Sequence, residues 1–134
     1  MKKKIIHYFS ILFISLYCFF FFSCENSTES KIISISDAEK IVFRDALNSN
    51  DSGKVVYELP QIVKAGSVIK CRQVDSTDFY VSSDSWFFFI DDQPTYRWVH
   101  QCRYVFIDVS TQKLTKYDWT FYPTCLSEMK IVVF

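Results

Sequence analysis

The sequence predicts an α+β domain: one N-terminal helix packed on an antiparallel β-sheet of four to six strands. Three observations carry that expectation. A single segment, residues 36–48, places its apolar residues at helical spacing. Beyond residue 54 the chain falls into short β-branched and aromatic runs separated by turn residues. Finally, aromatic residues make up 19% of the 134 residues, against only two glycines, so large side chains are available to fill a small core.

The helix is expected to open on Ser36-Asp37-Ala38-Glu39, which fits a capping box in which the Ser36 hydroxyl takes a free amide at Glu39 and Glu39 reaches back. Ala38, Val42 and Ala46 then form a stripe widened by Ile41, while Lys40, Arg44 and Asp45 face outward. Asn48-Ser49-Asn50-Asp51-Ser52-Gly53 supplies residues that tolerate turn geometry and ends the helix.

Val55–Leu59 reads as a first strand, with Pro60 limiting it to an edge or a strand end. Lys64-Ala65-Gly66 is a turn, and Val68–Val74 alternates as a strand with one wet face. Phe79-Tyr80-Val81 is a short strand before the Ser82–Ser85 break. Trp86-Phe87-Phe88-Phe89-Ile90 is apolar on both faces, which places it centrally with both faces covered. After the loop at Asp91–Thr95, Cys102–Val109 and Leu114–Phe121 form a hairpin around Ser110–Lys113. Lys130–Phe134 is a final apolar strand.

The residues before this domain have a different character. Met1-Lys2-Lys3-Lys4 is basic, Ile5–Phe22 is nearly all apolar, and Ser23-Cys24 closes the run. That order describes a secretory signal. The stretch Phe21-Phe22-Ser23-Cys24 resembles a lipobox, the recognition site of bacterial lipoprotein processing, and its phenylalanine-rich form is similar to those of Bacteroidota. The resemblance implies cleavage before Cys24 and a thioether-linked diacylglyceryl group on its sulfur. Three segments are therefore expected: signal peptide 1–23, lipid-anchored linker 24–31, and α+β domain 32–134. An uncleaved membrane helix is the alternative, since 18 apolar residues just suffice to span a bilayer. The expected place is the cell envelope, with the outer membrane preferred to the inner.

Three of the fifteen basic residues leave with the leader and no acidic one does, so twelve face fifteen in the remainder, a net −3. No basic patch for nucleic acid results.

Helix first, then strands closing in a hairpin, is the order of PepSY-type domains. The run from Tyr104 to Leu114 resembles that family's terminal hairpin, with Gln112 where the family usually carries glycine. The stretch Trp86–Asp108, with Pro94, Trp98, His100 and Cys102, is similar to a segment of uncharacterised secreted Bacteroidota proteins. PepSY-type domains occur as propeptides and as envelope modules that bind or inhibit peptidases. The resemblance therefore implies a non-enzymatic module that binds a protein or peptide.

For chemistry, His100 and Cys102 are the sharpest local feature. Two residues apart on a strand, they leave the same face, so a thiol activated by an imidazole is conceivable. With no orienting or oxyanion motif beside them, a half-buried histidine next to a core cysteine is the reading preferred, and no catalytic residue is assigned. Cys71, Cys102 and Cys125 remain after Cys24 is acylated; a Cys102–Cys125 disulfide is the first choice, because the hairpin folds their flanking segments together. A Cys3His zinc site is disfavoured for lack of a short paired C-x-x-C element, and Asp84, Asp91 and Asp92 lack an EF-hand ligand order. No metal and no cofactor is therefore expected. Tyr96 and Trp98, in a loop beside His100, are the best contact candidates, since such residues dominate binding hot spots. A surface glycan-binding lipoprotein is the competing class, and an enzyme comes third.

Overall fold

The computed structural model describes residues 31–48, 51–72, 78–97 and 99–133, within a compact unit spanning Lys31–Phe134. The leader, Cys24 and the linker through residue 30 lie outside the described residues, and so does Trp98. Among the described residues no helix is long and apolar enough to cross a membrane.

The helix, α1, runs Ile35–Ile41 and continues as a π-helical turn over Val42–Ala46. It begins earlier than the Ser36 capping box requires. Ser34 is the N-cap: its hydroxyl accepts from the Asp37 amide at 3.1 Å and donates to the Asp37 carboxylate at 2.8 Å. Both serines are followed by an acid three residues on, so local chemistry alone does not choose between them. Ile33 decides. It is buried just before the cap, in the cluster that also holds Ala38 at the fourth helical position, which is the spacing of a hydrophobic staple. Its backbone is held twice, by its own amide on the Val109 carbonyl and by the Trp86 indole on its carbonyl, each at 3.0 Å.

Among the described residues seven strands follow: β1 Val55–Glu58, β2 Val68–Ile69, β3 Phe79–Tyr80, β4 Ser85–Asp91, β5 Cys102–Asp108, β6 Leu114–Trp119 and β7 Lys130–Val132. Five form an antiparallel sheet in the order β6-β5-β4-β1-β7, and β2 with β3 makes a separate two-stranded pair. The expected α+β class holds. β4 is the centre of the sheet, as its two-sided apolar run requires, and β1 is an interior strand that stops before Pro60.

Register assigns the faces. Val56, Phe88, Ile90, Val105 and Ile107 pack under the buried stripe Ala38, Ile41, Val42 and Ala46. Phe87, Phe89, Cys102, Tyr104 and Phe106 point the other way, onto a second cluster with Leu59, Val63, Ile69, Cys71, Phe79 and Val81. Phe79 lies flat on Tyr104, with ring centroids 4.6 Å apart, and meets Trp119 edge-on at 5.4 Å. Truncating one of these fully buried phenylalanines to alanine typically costs about 3–5 kcal/mol.

Two expected strand lengths change. The strand expected over Val68–Val74 closes after Ile69, because residues 70–72 turn to the C-terminal segment instead: the Arg72 amide donates to the Tyr122 carbonyl and the Thr124 amide to the Lys70 carbonyl. The second hairpin strand ends at Trp119 rather than Phe121, since Phe121 and Tyr122 leave the sheet to cover its second face. Beyond the hairpin the expected final strand is present as β7: a 3-10 turn at Thr124–Glu128 leads to it, and it pairs with β1 at the far edge. In the hairpin itself Gln112 takes a positive φ of 61°, and the Asp108 carboxylate accepts from the Ser110 and Thr111 amides.

Candidate functional site

Antiparallel pairing sets Asp91, the last residue of β4, opposite Cys102, the first of β5. The loop between them must close over that end of the sheet, and buried polar groups do the closing. On the face opposite α1, Asp91 is 2% exposed and His100 7%. The imidazole Nε2 lies 2.8 Å from one Asp91 oxygen, and the Tyr122 hydroxyl donates to the other at 3.1 Å. The Tyr122 oxygen also stands 3.1 Å from His100 Nε2. Burial first, and the Asp91 charge second, push the Tyr122 phenol up to about 12, so it remains a donor across the ordinary pH range. The Gln93 amide donates to Asp91 at 3.0 Å, and the Tyr96 amide to the Gln93 carbonyl at 2.9 Å.

The opposite face carries the counterpart. Arg103 makes a two-point contact with Asp92, reaches Asp51 at 3.2 Å and donates to the Ala46 carbonyl, the end of the π-helical turn. Lys54 bridges Asp51 and Asp92, 2.7 Å from each. Two cations thus meet two carboxylates in a nearly dry neutral quartet, where each charge depends on the others being present. Its bond to Lys54 is the main cause holding the Asp51 carboxyl down at about 2.

These two clusters tie down both ends of the loop, and the loop presents Tyr96 and Val99 outward, 61% and 63% exposed. Tyr96 lies on the surface, whereas His100, expected beside it among the contact candidates, is buried behind the loop. Trp98 lies outside the described residues.

His100 and Cys102 are brought to the same end of the sheet, yet they serve different partners. The Cys102 thiol donates to the Phe121 carbonyl at 3.4 Å. Burial, followed by the Asp91 charge, pushes that thiol up to about 12, the reverse of what an activated nucleophile needs. Cys71, Cys102 and Cys125 are all free thiols, so Cys102 and Cys125 are not joined in this structure. The Tyr104 hydroxyl lies 3.5 Å from the Cys71 sulfur and donates to the Phe121 carbonyl at 2.9 Å. Burial is the main cause raising its phenol far above the usual tyrosine range.

The acids considered as a cation site do not converge. Asp84 precedes β4 and pairs with Lys64 at 2.7 Å, whereas Asp91 and Asp92 stand at the strand's other end. Seven residues of strand, about 3.3 Å each, separate them. Among the described residues no three His, Cys, Asp or Glu side chains are grouped to hold a metal ion.

Arg103, Asp51 and Lys54 were not legible as a cluster. The one available signal was a guanidinium inside the apolar run Cys102–Val109, which demands buried carboxylates somewhere. Matching the chain against family models, curated proteins and solved structures finds no similar protein.

Proposed function

We propose that the chain is a non-enzymatic envelope lipoprotein, attached through lipid on Cys24, that binds a protein or peptide with the loop between β4 and β5. The observation that supports this reading is the pairing of exposed apolar groups with buried supports. Tyr96 and Val99 stand out at 61% and 63% exposure, while His100 and Asp91 behind them are buried and hydrogen-bonded. A loop whose backbone is already tied down loses less freedom on association than a free one, which favours an aromatic side chain on it as an anchor. The peptidase-binding role implied by the PepSY-type resemblance is the finer form of this proposal, and a peptidase is the first partner to try.

The test is photo-crosslinking in intact cells from the full chain, with the photoreactive residue at position 96. A discrete protein adduct is expected, absent in Val99→Asp and weakened in Cys24→Ala, which removes the anchor. Adducts equally abundant from position 96 and from the helix surface at Lys40 would end the assignment.

A further inference from the structure

A second surface lies away from that loop, and the proposal above does not use it. Where the β2–β3 pair leaves the second face of the sheet uncovered, a groove of about 270 Å³ runs between β3 and the β5–β6 hairpin. Its floor and walls include Tyr80, Ser82, Thr111, Lys113, Thr115 and Tyr117. It continues past the two tyrosines toward Asp78, Lys116 and Trp119. Tyr80 is 75% exposed and Tyr117 43%.

Three features of this groove converge on one kind of ligand. First, Tyr117 is braced by two rings, tilted against Phe79 at 5.1 Å and edge-to-face with Phe106 at 6.1 Å, yet much of it stays exposed. The negative face of such a ring attracts the weakly positive C–H face of a pyranose. Second, no hydrogen bond within the described residues uses the hydroxyls of Tyr80, Ser82, Thr115 or Tyr117. They are available as both donors and acceptors, as sugar hydroxyls require. Third, the lining carries no net positive charge: Asp108 and Lys113 stand at one end, and Asp78, Lys116 and Asp118 at the other, with Lys116 3.8 Å from Asp118. An acidic ligand would find no net positive field.

We propose that this groove binds a neutral oligosaccharide, with Tyr117 and Tyr80 as stacking platforms and the hydroxyls of Ser82 and Thr115 reading the sugar edges. An extended peptide adding to the edge of β6 is disfavoured, because that edge strand carries the exposed charges Lys116 and Asp118, and charged side chains mark edge strands that avoid further pairing. The groove is small against typical ligand sites of roughly 300–1,000 Å³, which suits one or two rings held weakly rather than a deeply enclosed ligand.

The test is binding of the full chain in detergent to a panel of neutral hexasaccharides (α- and β-glucan, mannan, xylan) beside acidic ones (polygalacturonate, hyaluronate). Binding is followed by calorimetry and by changes in tyrosine fluorescence. At least one neutral hexasaccharide is expected to bind, at least ten-fold more weakly to Tyr117→Ala and to Tyr80→Ala, and unchanged for Tyr96→Ala. Tyr80 is so exposed that its variant will fold even if Tyr117→Ala does not, and Tyr117→Phe should retain most of the stacking. The proposal is overturned by no binding at 10 mM sugar, by binding confined to acidic sugars, by binding indifferent to Tyr80, or by a peptide occupying the groove in place of any sugar. Because Tyr96→Ala addresses only the loop, failure here leaves the protein-binding proposal standing, and the reverse holds too.

Discussion

His100 and Asp91, nine residues apart in sequence, meet at 2.8 Å in the interior and thereby close the loop that carries Tyr96. The buried polar residues at that end of the sheet belong either to this contact or to the charged cluster around Arg103 on the opposite face. Breaking either cluster should therefore loosen the same loop.

His100→Ala leaves the Asp91 carboxylate buried with only Tyr122 and the Gln93 amide as partners. A loss of about 2 kcal/mol is expected, the cost of a buried acceptor deprived of a hydrogen bond. Chemical denaturation measures it. Amide exchange should accelerate across residues 93–99 more than in β4 or β5; uniform acceleration would show that the imidazole supports the whole sheet rather than the loop.

Arg103→Met should be more costly, about 3–5 kcal/mol, because Asp51 and Asp92 remain buried with Lys54 alone between them. Replacing the three other charged partners as well, with neutral isosteres, should recover part of that loss. If Arg103→Met unfolds at the same denaturant concentration as the unaltered chain, the quartet contributes nothing.

On β1, Glu58 packs against α1 near Glu39, and one of its oxygens is buried without a partner. Burial, then the neighbouring Glu39, pushes its carboxyl from 4.5 up to about 7. A raised folded-state value means that the stabilisation is complete below 4.5 and is lost as pH rises through about 7. The chain should accordingly be less stable at pH 8 than at pH 5, by roughly 1 kcal/mol after allowance for solvent screening at this partly exposed site. Glu58→Gln should flatten that dependence; thermal melts at the two pH values check it.

The thiols should differ in reactivity. Cys71 and Cys102 are buried, whereas Cys125 is only half-buried, although burial raises its thiol too. Iodoacetamide at pH 8, followed by mass mapping, is expected to modify Cys125 first and Cys102 last. Rapid alkylation of Cys102 would contradict both its burial and its raised value.

Gln112 sits at φ 61°, a conformation that disfavours side chains bearing a Cβ. Gln112→Gly should therefore stabilise the hairpin by about 0.5–1 kcal/mol, less the extra freedom glycine has when unfolded. An unchanged melting temperature would mean that the turn relaxes without penalty.

Much of this architecture was legible because it follows from periodicity. The stripe Ala38, Ile41, Val42 and Ala46 specifies a helix face, and the unbroken run Trp86–Ile90 specifies a central strand, whatever surrounds them. The helix start was not legible, since Ser34 and Ser36 are locally equivalent and the burial of Ile33 separates them. Strand lengths around Val68–Val74 depended on a distant competitor, the 122–124 segment, for the same backbone groups.

The site divides in the same way. The sequence alone determined an α+β domain with a loop holding Tyr96 between its two long apolar strands, because these rest on local pattern and spacing. Only the tertiary structure decided that His100 serves Asp91 and Tyr122 rather than Cys102, that Arg103 gathers Asp51, Asp92 and Lys54, and that Tyr80 and Tyr117 frame one groove. The physical reason is that a buried polar group must find its partner in space, and its neighbours in space are set by strand register and loop closure.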